Sequence, residues 1–278
     1  MVKVDVAPYF GCLELASTRG SDQLDTNKLS SIISNVARAL AQSEESLAMG
    51  RRVSARIVSE LEMSEKSLSE AYPMLRYAYC CFLTIFEIRS PGCLKDRPLH
   101  HFIALLASLQ PTHCHLSLIS QAAFALLGGA KEADKLLSLR EDKTPLDVAW
   151  GAAGDIWHCW MVQNCFPMQR VDGLPQHSIF VTDDAAAAFV AGQCTPQALF
   201  LNAGEPFLSA SVVSYSFPFY VDKLERLNEQ LRERESSRFK RMLDDVAKAS
   251  KFDHAHVQTE IAQLEHVIMS TWTGTLPA

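Results

Sequence analysis

Residues 144–189 read TPLDVAWGAAGDIWHCWMVQ, then NCFPMQRVDGLPQH, then SIFVTDDAAAAF. The first segment predicts a helix and the second a loop. The third predicts a short strand, two carboxylates and a new helix. Thr144 suits an N-cap, and Pro145 suits the first helical position, where its missing N–H costs nothing. Trp150, Ile156, Trp157, Trp160 and Met161 recur at helical spacing. Asp147 and Asp155 lie eight residues apart. At about 100° per residue they share one face, about two turns apart. Gly154 is a poor helix residue and points to close packing there. Ser178 to Val181 is short and apolar, as a buried parallel strand is. Such a strand carries Thr182, Asp183 and Asp184 to its carboxyl end, where ligands bind in open α/β sheets. A helix acid set against strand-end acids builds a divalent-metal site from oxygen ligands.

That order of elements resembles the C-terminal half of PIN-domain nucleases. The residues that carry the resemblance are GDIWHCWMVQ, with Asp155, and IFVTDD, with Thr182 and Asp184. It covers residues 144–189 of 278, and the loop is longer than in compact members of that family. The resemblance implies an α/β fold, a PIN-like parallel sheet flanked by helices. It also implies carboxylates that hold Mg²⁺ or Mn²⁺. In that family the acids are an Asp ending the first strand, a Glu on an early helix and the two acids just matched. Val2-Lys-Val-Asp-Val reads as a first strand, which gives Asp5 the right context, without the family's Asp-Thr-Asn tripeptide. Asp25-Thr26-Asn27 has the tripeptide, but Arg19-Gly-Ser-Asp-Gln before it does not read as a strand. Ile57-Val58-Ser59-Glu60-Leu61 resembles the family's apolar-x-Glu-Leu pattern, with Glu62 the next choice after Glu60. The expected ligand set is therefore Asp5, Glu60, Asp155 and Asp184, with Asp183 as a substitute or further ligand.

Each of these acids has a plainer role to weigh. Asp155 could be an ordinary exposed helical residue. Glu60 shares its helix with Glu62, Glu65 and Glu70, the pattern of a solvated face. Thr182 or Asp183 could simply cap the following helix, because acids favour helix N-termini. Asp147, on the face of Asp155, is a candidate supporting acid.

The composition, 48% apolar and 21% charged over 278 residues, is that of a globular chain with a sizeable core. A net charge of −6 argues against a protein coated in basic residues for bulk nucleic-acid binding. It leaves room for a local basic groove. The eight cysteines form no CxxC pair, which fits a reduced, cytoplasmic setting better than a disulfide framework. The start, MVKVDVAPYF, lacks the regions of a signal peptide, and the apolar run from Ala78 to Phe86 is too short to span a bilayer.

Helical patterns are expected over Leu29 to Ala48, Val53 to Ala71 with a break near Pro73, and Leu99 to Leu109. Arg76 to Ile88 reads as buried. His115 to Leu127 reads as helix or partly strand, and Ala130 to Leu139 as a short helix. Leu199 to Ala203 and Ser209 to Tyr215 have β character. A charged helix over Tyr220 to Ala249 and a last one over His254 to Ser270 complete the chain. The expected division is a PIN-like domain with helical insertions over 1–217 and a C-terminal helical extension over 218–278.

Other chemistry has less support. His113-Cys-His115 is a metal fragment without the further ligands that tetrahedral zinc needs. Neither a G-x-S-x-G elbow nor a glycine-rich phosphate loop is present. Arg97 to His101 falls short of the spacing of HEPN-type ribonucleases. Arg232 to Arg241 holds five basic residues against two acids and is a candidate phosphate contact. The function expected is thus a metal-dependent nuclease acting on RNA, with single-stranded DNA as a second substrate. The alternative is a PIN-like interaction module that does not cut. A third is a hydrolase for a small phosphorylated molecule, which needs a closed pocket. The resemblance further implies a homo-oligomer or an inhibitory protein partner, and no membrane.

Overall fold

A computed structural model describes residues 9–21, 23–46, 56–89, 117–127, 130–139, 141–164, 170–171, 174–175, 184–201, 209–215 and 254–272. The elements in order are α1 (Tyr9–Ala16), α2 (Thr26–Ser46), α3 (Arg56–Arg89), α4 (Ser117–Leu127), a 3-10 turn (Asp134–Leu137), α5 (Pro145–Asn164), β1 (Arg170–Val171), β2 (Leu174–Pro175), α6 (Ala185–Gly192), β3 (Cys194–Leu201), β4 (Ser209–Tyr215) and α7 (His254–Thr271). The chain divides into two units, Met1–Arg76 and Tyr77–Ala278. The expected boundary at 217/218 falls outside the described residues.

In the first unit α1 packs on α2. Cys12, Leu13 and Ala16 of α1 are buried, as are Leu29 and Ile33 of α2, four residues apart on one face. Asp25 starts α2: its Oδ1 accepts from the Lys28 N–H at 2.9 Å. Its carbonyl accepts from the Leu29 N–H at 2.9 Å, so Asp25 is an N-cap. Tyr72 donates its hydroxyl to the Ser21 carbonyl at 2.9 Å, and Arg76 donates to the Arg19 carbonyl. Both bonds hold the turn before α2 against α3.

The break expected at Pro73 does not occur: α3 runs through it to Arg89. A proline inside a helix removes one hydrogen bond and crowds the carbonyl four residues back, at ~3 kcal/mol. Burial offsets that cost here. Tyr72, Met74 and Leu75 beside it are buried, and Tyr77, Ala78, Tyr79, Phe82, Leu83 and Ile85 further along the helix are buried too, as the apolar run from Arg76 to Ile88 predicts.

The second unit is built around α5, which packs against α4, the 3-10 turn, α6, α7 and β3. Ala149, Ala153, Ile156, Trp157 and Trp160 are buried along it, and so is Gly154. Ala149, Ala152 and Ala153 of α5 and Ala186 and Ala187 of α6 are small and buried, and the two helices pack on one another. Thr144 and Asp147 fix the start of α5 reciprocally. The Asp147 N–H donates to Thr144 Oγ1 at 3.2 Å, and Thr144 Oγ1 donates to Asp147 Oδ2 at 2.6 Å. Tyr79 of α3 donates its hydroxyl to Glu265 Oε1 of α7 at 2.7 Å. Its ring meets Trp150 edge-on, with centroids 5.1 Å apart.

The parallel α/β sheet expected from the resemblance is not the architecture found. The described residues are mainly helical, and their strands form two antiparallel pairs, β1 with β2 and β3 with β4. The connections explain this. Only Asp172-Gly173 separates β1 from β2, a dipeptide that favours tight hairpins, and only residues 202–208 separate β3 from β4. A parallel pair needs a crossover of roughly a dozen residues or more. The register slips between Pro196 and Ala198, where a proline that cannot donate to the ladder is tolerated. Buried apolar runs that could have flanked a sheet pack helix on helix instead. The strand expected over 178–181 lies outside the described residues, as do the first strand at Val2, the helix at 99–109 and the charged helix at 220–249.

Candidate functional site

Asp155 sits midway along α5, half-buried, one turn before the buried Cys159. Asp184 is the N-cap of α6. Its backbone is extended, and its Oδ1 accepts from the N–H groups of Ala186 at 2.8 Å and Ala187 at 2.9 Å. The cap satisfies two amides that the helix itself leaves without acceptors, and the carboxylate sits at the positive end of the helix dipole. α5 and α6 pack on one another.

The Cys159 thiol lies on α5, one helical turn after Asp155, and is buried. Burial pushes its pKa up from 9.0, and the negative charges of Asp155 and Asp184 push it further, to about 12. Sequence reasoning names Asp155 and Asp184 as ligands of one site and does not single out Cys159. The signal was there: Cys159 follows Asp155 by four residues, one helical turn on the same face.

The remaining candidates fall differently. Asp5, Thr182 and Asp183 lie outside the described residues. Glu60 and Glu62 are on α3, but their side chains are outside the description. Asp25, the alternative first acid, is exposed and caps α2. Asp147 is exposed and closes the start of α5 with Thr144, a local role. Among the described residues no group of three or more His, Cys, Asp or Glu could hold a metal ion. Asp155 and Asp184 are two oxygen donors, and Mg²⁺ is often held by one or two carboxylates with waters and substrate phosphates completing its shell.

Among the described residues no helix is long and apolar enough to cross a membrane. The chain matches no family model, and no curated protein or solved structure is significantly similar to it.

Proposed function

We propose that the chain is a metal-dependent nuclease acting on RNA, with Asp155 and Asp184 as its metal-holding acids. The observation that supports this reading is that α5, which carries Asp155, packs on α6, which Asp184 caps. The reading does not depend on a parallel sheet; it needs two acids from separate elements to share one ion, and Asp155 and Asp184 are proposed for that role. Bound Mg²⁺ or Mn²⁺ supplies a water of lowered pKa and neutralises charge on the phosphate. The chain's own part is positional. Asp155 is held by a helix with a buried face, and Asp184 by two backbone amides that leave its Oδ1 little freedom. Side chains fixed in this way cost little ordering when a ligand arrives. Asp5, Glu60 and Asp183 remain proposed as further ligands.

Cleavage of labelled single-stranded RNA and DNA, with Mg²⁺, Mn²⁺ or EDTA, tests the proposal. Wild-type protein is expected to cut in the presence of metal and to stop in EDTA, and Asp155→Asn is expected to abolish cutting. Metal-independent cutting, or cutting that survives Asp155→Asn, contradicts it.

The second reading, a helical interaction module, is favoured by the cap itself. Asp184 has a complete structural role without any metal. Asp184→Asn separates the two readings, since asparagine caps as well as aspartate but brings no charge. Loss of cleavage with unchanged stability supports the nuclease. Absence of cleavage in the wild type, with no metal bound, supports the module.

A further inference from the structure

We draw no further inference here: the strongest candidate, the outer face of α7 with the shallow recess bounded by Gln258, Ala262 and His266 and the exposed Val267 and Met269 nearby, carries nothing because nothing in the structure shows what covers it.

Discussion

Asp184 caps α6, a role the sequence offered to Thr182 or Asp183, and substitution separates that role from a metal ligand's. An acid just before an alanine-rich helix fits both a cap and a metal ligand, and the hydrogen bonds to Ala186 and Ala187 establish the cap. Asp184→Ala is expected to destabilise the fold by about 1 kcal/mol, and Asp184→Asn by much less. Urea denaturation of the two variants checks this; equal losses would contradict the cap. Cys159 gives a pH dependence of determined sign. In the unfolded chain its thiol ionises near 9.0, and in the fold only at about 12. The native state therefore keeps a proton that the unfolded state loses. The resulting stabilisation is fully present below the unfolded pKa and is lost as pH rises towards the folded one. Cys81, pushed up to about 12 by burial, acts in the same direction. Between about pH 9 and 11 the wild type should lose stability faster than Cys159→Ala. Parallel stability curves for the two proteins would contradict the placement of the thiol.

At the scale of elements, α5 and α7 could be read from the sequence with nearly their observed bounds. The indoles and alanines of α5 recur at helical spacing, and Thr144-Pro145 marks its start. The continuity of α3 could not be read, because the local penalty of Pro73 is visible in sequence and the burial that offsets it is not. Pro73→Ala restores a backbone donor and is expected to stabilise the protein by up to ~3 kcal/mol, seen as a higher melting temperature. A lower one would mean that the proline ring packs in a way alanine cannot replace. The docking of α7 rests on Val257, Ile261 and Ile268, which are buried, and on the bond from Tyr79 to Glu265. Tyr79→Phe keeps the ring against Trp150 and removes only the hydroxyl. It is expected to cost about 1–2 kcal/mol in denaturant unfolding, as for a hydrogen bond to a charged group in a partly buried place. No cost would place Glu265 in solvent.

For the whole molecule, element type was easier to read than architecture. Helix periodicity is local, whereas strand direction depends on which strands meet. The short spacers before β2 and β4 bear on that direction, but the resemblance over 144–189 pointed to a parallel sheet. A far-UV circular dichroism spectrum dominated by helix is expected; a spectrum dominated by strand would restore the sheet. Of the candidate site, the sequence named Asp155 and Asp184 from the order helix, loop, short strand and helix; the two helices that carry or follow them are found, and their pairing on one ion remains a proposal. The roles of Asp25 and Asp147 were not, since a capping acid and a ligand acid look alike until the neighbouring N–H groups are placed.

The central claim is that Asp155 and Asp184 serve one cation, and a Mn²⁺ titration followed by the electron paramagnetic resonance of the free ion tests it most directly. The comparison is wild type, Asp155→Asn, Asp184→Asn and the double variant, each first shown to be folded. Loss of an outer partner of a metal site costs about 10–100-fold in affinity, so loss of a direct ligand should cost at least that. Each single variant is expected to weaken Mn²⁺ binding to that degree, and the double variant by less than the sum in free energy, as residues sharing one site do. Wild-type protein that binds no Mn²⁺, or single variants that bind it as the wild type does, would contradict the claim and leave Asp184 as a helix cap alone.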